Sequence, residues 1–185
     1  MMNEVILEMS EKMDKSVDSF KNELSKVRTG RASLAILDGI SVNAYGSQMP
    51  LNQVGTLTIP ESRMIAIQPW DPQMLQAIEK AILKSDVGLT PANDGKIIRL
   101  NIPQLTEERR KDLVKQVKKI AEEFRVAVRN LRREAIDTLK KQKKDKEISE
   151  DELFKYQDEA QVETDSHIKM IDDAMATKEK EVMEV

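Results

Sequence analysis

The stretch between Thr106 and Lys146 contains neither glycine nor proline, and its apolar residues recur every three or four positions. Seven of them would share one side of an α-helix: Leu113, Val117, Ile120, Phe124, Ala127, Leu131 and Ala135. This period predicts a single helix of about 40 residues, which at roughly 1.5 Å per residue is about 60 Å long. Such a helix cannot bury its apolar side alone, so it requires helical partners.

Two further segments supply these partners. The first runs to about Arg28, with Gly30 as a stop signal, and carries Ile6, Met9, Met13, Val17, Phe20, Leu24 and Val27 on one side. The second begins at Ser149, which forms a capping box with Glu152. Its apolar side consists of Leu153, Ala160, Ile168, Ile171, Met175 and Val182. Together the three segments predict a three-helix bundle with near-parallel or antiparallel axes.

Residues 31–104 have a different character, because all six prolines and five of the six glycines lie there. The pattern predicts a hairpin that turns at Gly46-Ser47, strands at Thr56–Ile59, Met64–Gln68 and Ile98–Ile102, and a helix from Asp71-Pro72 to about Lys84. A small module of strands and one helix is therefore inserted between the first and second long helices.

These elements predict an α+β fold with two domains. The bundle takes residues 1–30 and 105–185, and a β/α/β sandwich module takes residues 31–104. Two short chain crossings join them, near residues 29–31 and 103–106, and we expect hinge motion there. The hinge residues are Thr29, Gly30, Arg31, Pro103, Gln104 and Leu105.

Motifs for covalent chemistry are scarce. The absence of cysteine excludes disulfides, Cys-ligated metals and thiol nucleophiles. The single histidine, His167, lies beside the apolar side of the third helix, and we interpret it as a partly buried bundle residue. No nucleophile elbow, phosphate-binding glycine loop or zinc-ligand spacing is present. We therefore expect a protein that is not an enzyme and that binds neither a cofactor nor a metal.

The N-terminus is acidic and lacks a signal-peptide pattern, and no apolar run approaches the roughly 20 residues needed to cross a bilayer. These features favour an unprocessed, cytoplasmic protein that does not enter membranes, and we expect it to be a monomer.

The net charge of −3 conceals two segments of opposite sign. Residues 105–146 hold 15 Lys and Arg against 8 Asp and Glu, whereas residues 147–185 hold 4 against 13. Such an abrupt change of sign predicts a basic surface beside an acidic one.

The basic residues of the second long helix form a row away from its apolar side. We define this basic row as Lys111, Lys115, Lys118, Arg125, Arg129 and Arg132, with Glu122 as its one acidic member and Arg133 widening it. A charged row on a bundle helix is usually only a solvated face. Here its C-terminal half is arginine, whose planar fork binds phosphate at two points. We therefore favour nucleic acid as the partner, and structured RNA over DNA because no module that reads a DNA groove is visible.

Several segments also resemble bacterial ribosome recycling factors. They are Val27–Ser33 (VRTGRAS), Leu105–Leu113 (LTEERRKDL), Arg125–Arg133 (RVAVRNLRR) and Asp145–Asp151 (DKEISED), with Tyr45-Gly46, Pro50-Leu51 and Ser85–Leu89 (SDVGL) in the inserted module. The resemblance covers nearly the whole chain. It implies an L-shaped molecule with the outline of transfer RNA, which binds ribosomal RNA of the large subunit. With elongation factor G and GTP, such a factor separates the subunits after translation termination.

The resemblance implies roles for particular arginines. It predicts that Arg129, Arg132 and Arg110 contact ribosomal RNA, that Arg28 and Arg31 assist near the hinge, and that Arg133 and Arg125 contribute less. Two alternatives remain open at this point. One is an adaptor or chaperone-like protein whose basic row docks on an acidic protein, and the other is an enzyme that modifies RNA.

Overall fold

The computed structural model describes residues 3–184. Over that range the helices are α1 (Glu4–Ser25), α2 (Leu75–Lys84), α3 (Glu107–Lys144) and α4 (Glu150–Met183). The strands are β1 (Ser41–Ala44), β2 (Ser47–Pro50), β3 (Gly55–Glu61), β4 (Met64–Pro69), β5 (Pro91–Asn93) and β6 (Ile98–Asn101). The predicted α+β fold class is thereby confirmed. Within the described residues, no helix is long and apolar enough to span a membrane.

The chain divides into two compact units. The bundle unit contains the residues up to Val27 and those from Glu108 onward, and the inserted unit is the continuous segment Arg28–Glu107.

Helices α1, α3 and α4 form the bundle unit, and the face predicted for α1 is confirmed because all seven of its apolar residues are buried. Phe20 of α1 is fully buried and its ring centroid lies 5.4 Å from that of Phe124 on α3. Ser10 of α1 donates a hydrogen bond to Glu163 of α4. Helix α1 ends at Ser25 rather than near Arg28, and the chain tightens after it because the Val27 amide donates to the Leu24 carbonyl.

The buried face of α3 differs from the predicted one. Ala121, Val128 and Leu139 are fully buried there, whereas Ile120, Phe124, Ala127 and Leu131 are only partly buried. At about 100° per residue, this moves the centre of the buried face by roughly 45°. The shift reflects side-chain contacts of α3 with both neighbouring helices, since Phe124 meets Phe20 of α1 and Arg125 bonds Asp172 of α4.

The turn between α3 and α4 closes without glycine. Lys146 adopts a positive φ of 60°, and the amide of Glu147 donates to the Gln142 carbonyl, which satisfies the end of α3. The predicted capping box then opens α4. Ser149 Oγ accepts from the Glu152 amide at 3.2 Å, and the Glu152 carboxylate accepts from the Ser149 amide at 2.8 Å. Local hydrogen bonds therefore define both the end of α3 and the start of α4.

The inserted unit contains two antiparallel sheets and α2. One sheet pairs β1 with β2, and the other has the order β3-β4-β6-β5. Alternate residues of β4 and β6 are buried, as their period of two requires, and pack with one side of α2. The largest of these core residues are Ile65, Ile67, Ile78, Ile82, Ile98 and Leu100. This unit consequently has a core of its own.

Local details of the inserted unit differ from the sequence-based prediction. The hairpin turns at Tyr45-Gly46, where both residues have positive φ, one position earlier than predicted. Strand β5 was not predicted, because Pro91 and its short polar neighbours have no alternating apolar pattern. The helix predicted from Asp71 begins as a 3-10 turn at Pro72–Met74, with the Asp71 carboxylate accepting from the Gln73 amide as its N-cap.

Candidate nucleic-acid interface

The shifted buried face of α3 brings part of the basic row close to α4. At about 100° per residue, Arg125 and Arg132 lie roughly 50–70° from the centre of the buried face, and Arg129 lies farther from it. The acidic residues of α4 meet this flank, as shown by Lys118, whose Nζ lies 3.9 Å from Glu179. The row is therefore not uniform, and each arginine has its own surroundings.

Arg125 is occupied by the bundle itself. Its Nε donates to Asp172 Oδ1 at 2.7 Å, a second guanidinium nitrogen lies 2.6 Å from the same oxygen, and a third bonds Glu122 at 3.0 Å. The Arg125 side chain is only 17% exposed. Two carboxylates thus neutralise this guanidinium, and the one from Asp172 joins α3 to α4 as a structural ion pair.

Arg129 remains accessible. Its single ion pair within residues 3–184 is with Glu122, at 3.2 Å, and its side chain is 41% exposed. Hydrogen bonds from Arg125, and more weakly from Arg129, hold the pKa of Glu122 below its ordinary value. Because Glu122 accepts from both arginines, it orients Arg129 while Arg129 keeps its other donors for a ligand.

Arg132 is held by a neutral group. One terminal nitrogen donates to the side-chain carbonyl of Gln161 at 2.6 Å, and Gln161 in turn donates to Asp165 at 2.8 Å. The Nε atom of Arg132 is buried without a hydrogen-bond partner. The end of the guanidinium is therefore oriented, and no carboxylate contacts it within the described residues.

The remaining bundle arginines differ in exposure. Arg133 is exposed, and within residues 3–184 it forms no ion pair. Arg110 is half-buried near the start of α3, with its Nε buried and lacking a partner. A ligand could therefore contact Arg133 freely, whereas at Arg110 it could contact only the part of the guanidinium that is not covered.

The two arginines predicted to act near the hinge lie in the inserted unit. Arg28 donates a hydrogen bond to the Val87 carbonyl, and this bond ties the first linker to the loop after α2. Arg31 is exposed. Whether either residue contacts RNA stays a prediction.

The two predicted linkers meet within the inserted unit. Gly30 has a φ of +77°, and a Cβ atom placed on it would lie 3.3 Å from Leu105 Cγ. A side chain at position 30 would therefore meet both backbone strain and the neighbouring linker. Thr29 is half-buried, and Pro103 and Gln104 are exposed.

His167 is more deeply buried than expected, at 3% exposed. Its Nε2 lies 2.9 Å from Asp14 on α1, and its Nδ1 lies 2.7 Å from the Glu163 carbonyl. The Asp14 contact joins α1 to α4, and the two contacts together occupy both ring nitrogens. No group of three or more potential metal-binding side chains occurs within residues 3–184.

Sequence reasoning missed the residues of α4 that organise the arginines. Gln161, Asp165 and Asp172 contact or support α3, yet the sequence predicted only the apolar side of α4 and its overall acidic charge. Their spacings of four and seven residues place them on one stripe of the helix. That polar stripe beside the apolar one was a usable signal.

Comparisons with known proteins agree on one family. The model of the family described as ribosome recycling factor matches residues 20–183. The ribosome-recycling factor of Desulfotalea psychrophila is 77% identical over 184 residues, covering 100% of both chains. A solution structure of the ribosome recycling factor matches with a TM-score of 0.81 and 44% identity, again over 100% of both chains.

A second structural match is to models of the T. thermophilus ribosome recycling factor and the E. coli elongation factor G bound to the E. coli post-termination complex. It has a TM-score of 0.66 and 46% identity, and it covers 100% of both chains.

Proposed function

The chain belongs to the ribosome recycling factor family, which consists of non-enzymatic translation factors, and on that premise we propose that it binds the large ribosomal subunit after translation termination. With elongation factor G and GTP, it then promotes dissociation of the post-termination ribosome into subunits. Nucleotide hydrolysis belongs to the elongation factor, so this chain needs no cofactor. It acts in the cytoplasm, as a monomer.

The observation that carries the RNA-binding part of this proposal is the set of arginines on α3 whose charge is left available. Arg129 is paired with one shared carboxylate, Arg132 with an amide, and Arg133 with no acidic group in residues 3–184. Guanidinium groups of this kind form two-point hydrogen bonds with phosphate. We propose Arg129, Arg132, Arg133 and Arg110 as the RNA contacts of the bundle unit, with Arg28 and Arg31 assisting from the inserted unit.

The contacts of Arg125 argue for a different role. Because Asp172 and Glu122 already neutralise it, an RNA phosphate would have to displace two carboxylates. We therefore propose that Arg125 stabilises the bundle and supports the basic row indirectly.

The length of α3 supports a mechanical role for the bundle. Its 38 residues give a rod of about 57 Å with no break, and a stiff rod transmits force between its ends. We propose that the linkers at residues 29–31 and 103–105 let the inserted unit reorient while the bundle stays seated on RNA.

The decisive experiment compares the wild type with Arg132→Ala in two assays, binding to isolated large subunits and dissociation of post-termination ribosomes. We expect binding to weaken by about 1–3 kcal/mol and its logarithmic salt dependence to fall by about one unit, as for loss of one phosphate contact. Dissociation should decline in parallel.

Arg63→Ala is the matched control for the binding assay, because Arg63 is exposed in the turn between β3 and β4 and lies outside the basic row. Far-ultraviolet circular dichroism checks that both variants are folded. Equal binding by wild type and Arg132→Ala would contradict the proposed interface. Sedimentation with ribosomes that survives RNase treatment would instead favour docking on an acidic protein.

A further inference from the structure

Gln161 of α4 lies between Arg132 of α3 and Asp165 of α4, and its side chain is an uncharged amide. Its carbonyl oxygen accepts from Arg132 at 2.6 Å, and its amide nitrogen donates to Asp165 Oδ1 at 2.8 Å. Because a carboxylate only accepts hydrogen bonds, Asp165 fixes the orientation of the amide, so its oxygen must face Arg132. The three side chains therefore form one chain of hydrogen bonds, in which Arg132 of α3 donates to Gln161 and Gln161 donates to Asp165 of α4.

Arg125 provides the internal comparison. It lies seven residues before Arg132, on the same side of α3, and contacts α4 through Asp172. There a carboxylate orients the guanidinium and also neutralises it. At Arg132 an amide orients the guanidinium and leaves its charge in place, which preserves the attraction to phosphate.

The buried Nε of Arg132 restricts how a ligand can approach. Since Nε is covered and one terminal nitrogen is bonded to Gln161, only the outer end of the guanidinium is open. Holding that end in one orientation before binding removes the cost of immobilising a long side chain.

We propose that Gln161 is a positioning residue that orients Arg132 for ribosomal RNA without neutralising it. This inference rests on the proposed function, because it assumes that Arg132 contacts phosphate. Gln161 itself is not required to touch RNA.

Two substitutions separate orientation from charge. Gln161→Ala removes the hydrogen bond, and we expect binding to isolated large subunits to weaken about three- to tenfold, the cost of ordering one long side chain. Gln161→Glu keeps the size and adds a carboxylate against Arg132, so we expect binding to weaken about tenfold or more. Gln116→Glu is the matched control for one added negative charge, because Gln116 is exposed and points roughly 150° around α3 from the centre of the basic row; it should bind within twofold of wild type.

A double-mutant cycle with Arg132→Ala completes the test. If Gln161 acts through Arg132, adding Gln161→Ala to Arg132→Ala should produce no further loss. Full additivity, or wild-type binding by Gln161→Glu, would overturn the inference. Wild-type binding by Arg132→Ala alone would instead overturn the proposed interface. Gln161 is exposed, so these variants should fold, and a circular-dichroism melt checks this.

Discussion

Arg125 and Arg129 lie four residues apart in the basic row and should respond oppositely to substitution. We predict that Arg125→Ala lowers the stability of the bundle unit with little direct effect on RNA binding per folded molecule. We predict the reverse for Arg129→Ala, which should weaken RNA binding and leave stability nearly unchanged.

The magnitudes follow from the contacts. Arg125 loses charged hydrogen bonds to Asp172 and Glu122, and bonds of this type contribute about 1.5–3 kcal/mol each when well enclosed. Asp172 and Glu122 are 47% and 55% exposed, so water recovers much of this, and about 2 kcal/mol in total is expected. Arg129 loses one ion pair at 3.2 Å between exposed groups, for which about 0.5 kcal/mol or less is expected.

Urea unfolding followed by circular dichroism at the helical minimum measures these differences, because most helical residues lie in α1, α3 and α4. Binding to large subunits is then measured well below the unfolding transition. An Arg125→Ala variant as stable as wild type but as weak in RNA binding as Arg129→Ala would refute the distinction between the two arginines.

Two further predictions concern the inserted unit. The Ile97 amide, the Arg99 side chain and the Lys96 amide hold the pKa of Asp94 well below its ordinary value. Asp94 therefore stabilises the fold above its unfolded pKa of about 3.9 and loses this effect as pH falls through its lower folded pKa. Fluorescence of Trp70, the only tryptophan, should show Asp94→Asn less stable than wild type at pH 7, with the difference shrinking below about pH 4; a constant difference down to pH 2 would contradict this. For the hinge, Gly30→Ala should slow ribosome dissociation but leave large-subunit binding unchanged. The control is Gly95→Ala, because Gly95 also has a positive φ (+88°) but has open space around it; this variant should change neither dissociation nor binding. If Gly30→Ala dissociates ribosomes at the normal rate, the proposal that motion at this linker is needed for dissociation is refuted.

The long helices and their buried faces could largely be predicted, because the signals for them repeat regularly along the sequence. Every apolar residue assigned to the inner side of α1 is buried, and the Ser149–Glu152 capping box forms as expected. These features depend on spacing along one helix, so a single sequence contains them.

Features that depend on two elements at once could not be predicted in this way. The buried face of α3 is displaced toward Ala121 and Val128, because its side chains contact both α1 and α4. Strand β5 forms only because β6 offers it a partner. His167 is buried by α1, which lies at the other end of the chain.

The candidate site shows the same division. The arginines of α3 could be identified, because residue charge and spacing can be determined from the sequence alone. Charge and spacing alone did not separate Arg125 from Arg132, although the family resemblance ranked Arg125 lower, because the physical difference is a carboxylate or an amide supplied by α4. Which arginine is neutralised depends on which residue of α4 lies opposite it, and this is determined by how the two helices pack.

Helix α1 leaves the synthesising ribosome first but packs against α4, the last helix to be made. Ser10 bonds Glu163, and Asp14 pairs with His167, each across 153 residues of chain. The inserted unit is one continuous segment and can fold during synthesis. By contrast, the apolar side of α1 cannot pack against α4 until translation is nearly complete. The orientation of Arg125 and Arg132 is therefore completed only when α4, the last helix to be synthesised, packs against α3.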